Sequence, residues 1–366
     1  MKKYQYNEIT LMQYIFLIHG SQLGIGQLAL PRHLAEKAGV SGWVPLLLGW
    51  ASSVAASLFI ISVMKRYPNG TLPDLLVHYF GKTIGRIGAA LMAVFYAFSS
   101  LTCIIATGLM IQEWMLPQTP LFILMILFSI PTYLITRNGI RIIGRYNELV
   151  FFLTIPMAVF LLAPLKDGHP LHLLPLLGEG WSPLFQATLV TVYSFLGFDS
   201  ALILYPFLKK KQSAVLGITI ANTMSMILFL MTALSCFAFF SPDEITQYHQ
   251  PTLDLLKVVE FRFVERLELV FLSGYLFVIS ATWVVLMYNT VFCTSWLLGK
   301  QDHQNHVLVL LACIVVLAYF LDPSANQLED WFHLLTGAGL VYAFAMPVLL
   351  WLYIRGKELV HGRSRT

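Results

Sequence analysis

The sequence predicts an all-α polytopic membrane protein of ten transmembrane helices, arranged as a 5+5 inverted repeat in which helices 1 and 6 are broken. Three observations carry this expectation: the composition, the side on which basic residues fall, and two helix breaks five spans apart. Of 366 residues, 57% are hydrophobic and 11% charged, against about 25% charged in soluble domains. Mean hydropathy is +0.72. Runs such as PLLLGWASSVAASLFIISVM and FILMILFSIPTYLI have about the length needed to cross ~30 Å of hydrocarbon.

The spans fall at 10–31, 43–64, 85–111, 120–136, 147–165, 182–206, 213–240, 269–298, 306–321 and 332–354. The whole chain, 1–366, reads as a single transmembrane domain, with 1–165 the first five-helix repeat and 182–366 the second. The apolar run after MKKYQYNEIT continues past signal-peptide length with no small-residue cleavage pattern, so the first helix is expected to stay in the mature protein. With both termini cytoplasmic, 17 of the 23 lysines and arginines lie inside, and Arg32, Lys37, Lys166, Lys257, Arg262 and Arg266 lie outside. That bias is what the positive-inside rule requires. It accounts for a pI near 8.8 through topology and contact with the lipid bilayer, and no nucleic-acid partner is expected.

Span 1 contains HGSQLGIGQLALP, with three glycines, two amides and a proline expected to end it at Pro31. Irregular backbone at membrane depth survives only where protein buries it or a cavity wets it. Span 6, VTVYSFLGFDSALILYP, breaks at Gly197 and ends at Pro206. An odd repeat of five spans inverts topology, and paired discontinuous helices at corresponding positions point to a transporter-type binding site. A weaker match supports the repeat: TLPDLLVHYF (71–80) and TLDLLKVVEF (252–261) each follow the second span of their half. Both read as amphipathic surface helices, the second with Leu253, Leu256, Val259, Phe263 and Leu267 on one face.

At the first break, the pair Gly24 and Gly26 around Ile25 lets a ligand approach the backbone closely. The half-helix beyond it points free N–H groups and its positive dipole end at the break, which suits a carboxylate. At the second break, carbonyls near Phe195, Leu196 and Gly197 can accept from an ammonium group. Together these make a receptor for an α-amino acid; the packing alternative is that the glycines simply let helices approach. Asp199 is the acid placed deep in a span, where it can pair a ligand ammonium, carry a proton or accept hydrogen bonds from neighbours such as Ser200. Span 3 offers Tyr96, Ser99, Ser100 and Thr102, and span 8 offers Tyr275, Ser280, Thr282, Tyr288 and Asn289.

Cys103, Cys236, Cys293 and Cys313 have no CxxC spacing and read as buried packing residues. HPLH (169–172) and HQNH (303–306) lack a third ligand, so no metal is expected. No P-loop, GxSxG, HExxH or paired intramembrane carboxylates are present, which argues against an enzyme, and no cofactor is implied.

GSQLGIGQLALP, YSFLGFDSALILYP and the inside loop TRNGIRIIGRYNEL together resemble the endospore germinant receptor B-subunit family, of the amino acid-polyamine-organocation transporter superfamily. The similarity runs over essentially the whole chain. The resemblance implies a membrane subunit of the spore inner membrane that binds a nutrient germinant, often an amino acid, and acts with a receptor A subunit and a lipoprotein C subunit. Carried over by position, the implied contacts are the Gly24, Ile25, Gly26 backbone and the Leu196, Gly197, Phe198, Asp199 break, with Tyr96 and Ser99. The family often has Glu where this chain has Asp199. The alternative function is a secondary active amino-acid permease; such a transporter needs an ion or proton site, for which the spans offer little beyond Asp199.

Overall fold

The computed structural model describes residues 7–174, 180–259, 266–299, 304–321 and 323–363, and its regular elements are helices. Helix α1 (Leu11–Gln22) starts from a reciprocal cap in which the Thr10 hydroxyl accepts from the Gln13 N–H and the Gln13 side chain accepts from the Thr10 N–H. After Leu23 the chain leaves helical geometry and resumes as α2 (Gly26–Ala38). Pro31 does not end this helix, as expected from sequence, but lies inside it. Proline removes the one bond its N–H would have made to Gln27, and the buried Leu28, Leu30, Leu34 and Ala35 hold the helix together across that gap.

Next come α3 (Val44–Met64), the short surface helix α4 (Leu72–Phe80), α5 (Lys82–Trp114), α6 (Leu121–Thr136) and α7 (Ile140–Leu162). Helix α4 is the expected amphipathic segment, capped by Thr71 with Asp74 and burying Leu72, Leu75 and Leu76. Helix α8 (Trp181–Phe195) stops at Leu196, and a turn at Phe198–Ser200 leads into α9 (Ala201–Leu204) and a last turn at Tyr205–Phe207. Then follow α10 (Ala214–Phe239), α11 (Pro242–Ile245), α12 (Pro251–Leu256), α13 (Leu267–Leu298) and α14 (Gln304–Leu321). Helix α15 (Ala325–Gly339) passes through a π-turn at Leu340–Ala345 into α16 (Met346–Arg363).

Among the described residues, seven helices are long and apolar enough to cross a membrane, and an eighth span is counted when α8 and the segment Phe198–Phe207, bent by 48°, are taken together. Helix α6 is a shorter apolar helix of 16 residues. The protein is therefore an all-helical integral membrane protein. Asp199 is not the one acid in a span: Glu148 lies inside the span expected at 147–165, where the Gln13 amide reaches it at 3.4 Å, and the earlier start of α13 adds Glu268, held by Arg266 at 2.8 Å. Glu268 sits at a helix end and Glu148 about two turns into α7, and both have partners. Helix α12 covers only the first part of the second amphipathic segment; Phe261 and Phe263, with Lys2, Lys3, Arg262, Lys300, His303 and Arg365, lie outside the described residues. Cys103, Cys236 and Cys293 are buried, whereas Cys313, expected to be buried, is exposed on α14. His169 and His172 sit with ring centroids 5.4 Å apart, and no cluster of three metal-binding side chains occurs among the described residues.

The long helices α5 and α13 form the most extensive pair, while α1 packs on α7, α10 and α13, and α2 packs on α8. Outward faces are apolar: Leu91, Val94, Leu149, Phe152, Leu308 and Val309 are all exposed, as lipid-facing surface requires. A backbone clasp fixes how the broken helices run. Ile9 donates to the Phe207 carbonyl at 2.9 Å, and Lys209 donates to the Ile9 carbonyl at 3.1 Å. The start of α1 thus lies beside the end of the second broken helix, so the two traverse the protein in opposite directions.

Candidate ligand-binding site

The two breaks meet. Gly197 takes φ of +126°, a region closed to side-chain-bearing residues, and a Cβ placed there would lie 2.6 Å from Ser21 Oγ and 2.8 Å from the Ser21 backbone. The end of α1 therefore presses directly on the break between α8 and α9. Gln22, the last residue of α1, bridges them: its amide N–H groups reach the Phe195 carbonyl at 2.8 Å and Asn222 Oδ1 at 2.9 Å. Its oxygen accepts from Ser225 at 2.6 Å, and Ser225 lies 2.8 Å from His19 Nδ1. Asn222 in turn donates to Ser57 at 3.1 Å. Buried polar groups need partners, and this network supplies them across α1, α3, α8 and α10, save at His19 Nε2, which has none among the described residues.

A cavity of about 50 Å³ lies between the breaks, lined by Ser21, Gln22, Gly24, Gly26, Gln27, Phe95, Ser99, Cys103, Tyr193, Ser194, Leu196, Gly197, Asp199, Thr282 and Leu286. Roughly 10–15 Å³ of such volume holds one water. The cavity thus has the room of a few waters. Of the residues singled out from sequence, Gly24, Gly26, Ser99, Leu196, Gly197, Asp199 and Thr282 line it. Ile25 sits between the two lining glycines. Tyr96 stands just behind the wall and donates to Asp199 Oδ2 at 2.8 Å. Phe195 enters through its carbonyl, and Phe198 is buried against Phe344 with centroids 5.3 Å apart. Tyr288 is buried farther along α13 near Phe292, outside the lining.

Helix α2 begins at Gly26 with no side-chain cap, and its first bonded amides, Gln27 and Leu28, donate to the Gly24 and Ile25 carbonyls. The N–H groups of Gly24 and Gly26 have no partner among the described residues, and both glycines line the cavity. These donors at a positive helix end fit an anionic group. The acceptor side differs in part from the sequence expectation of carbonyls left free: the Leu196 carbonyl has no donor among the described residues, but the other two are taken. The Phe195 carbonyl is taken by Gln22 and the Gly197 carbonyl by the Ser200 N–H at 3.1 Å. Tyr275 donates to the Gly24 carbonyl at 3.2 Å and to Gln27 Oε1 at 2.9 Å. Asp199 is held on both oxygens, by the Gly197 N–H at 2.8 Å and by Tyr96. Ser200, the neighbour expected to donate, instead accepts from Asn289 at 2.9 Å.

Sequence reasoning missed Tyr342. Its hydroxyl lies 3.1 Å from that of Tyr96, and it sits in the π-turn between α15 and α16, a distortion that is frequent at functional sites. It also missed the roles of Gln22 and Gln27. Their polarity within an apolar run was the available signal, but their partners lie some two hundred residues away, at Ser225, Asn222, Thr232 and Tyr275.

Comparison with known proteins finds relatives by sequence and by fold. Residues 8–328 match the family model described as spore germination protein, a family of germination receptors and permease-like proteins rather than enzymes. "Spore germination protein GerQB" of Bacillus cereus is 25% identical over 94% of this chain and 95% of its own length. "Spore germination protein A2" of Bacillus subtilis is 24% identical over 96% of this chain and 97% of its own. Among solved structures, a substrate-bound outward-open Na+-coupled sialic acid symporter superposes with a TM-score of 0.69 at 10% identity, over 92% of this chain and 78% of the symporter. MhsT in complex with L-phenylalanine gives 0.64 at 14% identity, over 93% of this chain and 87% of MhsT. At such identities the likeness is one of fold.

Proposed function

The chain belongs to the spore germination protein family, and from that premise we propose that it is the nutrient-binding subunit of a germinant receptor, with a transporter-like fold used for sensing. The ligand is a small amino acid. The observation that carries this reading is the meeting of two distant helix breaks around one cavity, with the unpartnered Gly24 and Gly26 N–H groups on its wall. The carboxylate binds at those donors. Room for only a few waters favours a ligand of alanine or glycine size.

In this reading the chain is a ten-span, 5+5 inverted repeat in the spore inner membrane, with both termini on the cytoplasmic side and with A and C subunits as partners. The opposed course of the two broken helices, set by the Ile9 clasp, supports the inversion. Glu148 is engaged by Gln13 and Glu268 by Arg266, and neither lines the cavity, which favours sensing over coupled transport. A bound ligand shifts the protein only by its difference in affinity for two arrangements. Tyr96 and Tyr342 connect Asp199 to the π-turn, and α16 beyond it is joined to α3 by Arg66 and Glu358 at 2.7 Å, so a shift at the site has a route to the far end of α16.

Spores carrying this receptor as their sole germinant receptor are to be screened against the common L-amino acids. Germination with a small one is expected, and deletion of this subunit should abolish it while vegetative amino-acid uptake is unchanged. A response that persists without the subunit contradicts the reading.

A further inference from the structure

Hydroxyls inside membrane helices ordinarily bond back to a carbonyl one turn earlier. Helix α8 follows that habit at Thr188, which donates to Leu184, and at Thr191, which donates to Thr188. The other serine and threonine hydroxyls on the cavity wall are also spoken for: Ser21 donates to Ile18, Ser99 to Phe95 and Thr282 to Gly20. Ser194 departs from this pattern. It lines the cavity, is 7% exposed, and its hydroxyl has no hydrogen-bond partner among the described residues. A polar side chain at such a position is free to meet a partner that enters the cavity.

We propose that Ser194 Oγ is the side-chain acceptor for the ligand's α-ammonium group, the role that sequence reasoning offered to Asp199. This rests on the amino-acid reading above. Ser194 lies in the last turn of α8, where the negative end of the helix dipole favours a cation. The donors of Gly24 and Gly26 belong to the positive end of α2. A zwitterion laid between the two ends meets complementary partial charge at each of its own. The hydroxyl oxygen accepts from the ammonium, and its proton turns back to the Val190 carbonyl one turn earlier, as its neighbours on α8 already do. Asp199 is tied into the frame of the break, with one oxygen accepting from the Gly197 N–H and the other from Tyr96. It is a positioning residue that keeps the break open and supplies field at a distance.

The test uses the purified full-length chain in nanodiscs, with radiolabelled glycine, L-alanine, L-serine and L-valine as probes. Glycolate and L-lactate compete in parallel as counterparts that lack the ammonium. Ser194→Ala is expected to weaken the amino acid bound by the natural chain about 10-fold or more, as loss of a hydrogen bond to a charged group does. The hydroxy-acid affinity should change less than about 2-fold, and Ser194→Thr, which keeps the hydroxyl, should remain within about 3-fold on every probe. Equal losses on amino and hydroxy acids would assign Ser194 to packing and overturn the proposal, as would unchanged amino-acid affinity in Ser194→Ala. Failure of the natural chain to bind any of the four amino acids is a different result: it takes down the amino-acid reading itself, and this inference with it.

Discussion

The break between α1 and α2 and the break between α8 and α9 face each other, yet they are built in opposite ways. The first is open at Gly24, where a Cβ would meet only Thr282 Cγ2 at 3.7 Å, and tighter at Gly26, where one would press on the Tyr193 ring at 3.1 Å. The second is closed, with Gly197 at positive φ and jammed against Ser21. The difference separates two uses of glycine. At the first break, in the proposed reading, the missing side chain of Gly24 leaves room for a ligand. At the second, the missing side chain lets α1 approach and fixes the frame. Binding specificity should therefore be lost at the first break and folding at the second.

Substitution at Gly197 should have the largest effect. Gly197→Ala adds backbone strain and a clash with main-chain atoms, together roughly 2–6 kcal/mol. The variant should be nearly absent from membranes by immunoblot, and normal abundance with normal ligand response would mean that the frame is not set here.

Gln22→Leu comes next, because it strips the Phe195 carbonyl, Asn222 and Ser225 of a shared buried partner. Each buried group left unsatisfied costs about 1–3 kcal/mol. The expected outcome is a protein that inserts but melts several degrees lower in detergent, with ligand affinity reduced because the two breaks are no longer tied. An unchanged melting temperature would show the bridge to be incidental.

At the first break the effect should depend on side-chain size. Gly24→Ala should be close to neutral in dose response. Gly24→Leu, whose branch fills the cavity, should abolish the response at normal protein abundance. If both behave alike, Gly24 serves helix packing and not the ligand.

The smallest effect is expected at Asp199, despite its charge. In Asp199→Asn the amide oxygen can still accept from Gly197, and the amide N–H can donate to Tyr96 if that hydroxyl turns toward Tyr342. Ligand affinity should stay within about 3-fold, whereas direct ammonium pairing would cost about 10-fold or more. A large loss would return Asp199 to the ligand and contradict the role given to Ser194.

The same comparison explains what could be read from sequence. Both breaks were legible, because glycines and amides in an apolar run violate the local rules of a membrane helix. The identity of the strict position was not. The GxG pair looked like the special backbone, but Gly24 and Gly26 carry no positive φ, and the lone Gly197 does. Conformation at a break is set by what packs on it, here Ser21 from the other half of the chain. The charge on Asp199 was plain, but its two donors come from a backbone turn and from a tyrosine 103 positions away. Helix starts at α7 and α13 were missed by a few residues, since an amphipathic turn at the membrane surface continues a helix without adding to the apolar run. Tyr342 left no trace because a π-turn is a packing outcome within an aromatic-rich span.

The central claim is that this transporter-like site senses a nutrient and does not accumulate it. It is tested most directly by measuring binding and uptake of radiolabelled small L-amino acids by the purified chain in proteoliposomes, with and without imposed proton and sodium gradients. Saturable binding with no gradient-driven accumulation is the expected result. Concentrative uptake that collapses when the gradient is dissipated would contradict it and establish the chain as a permease.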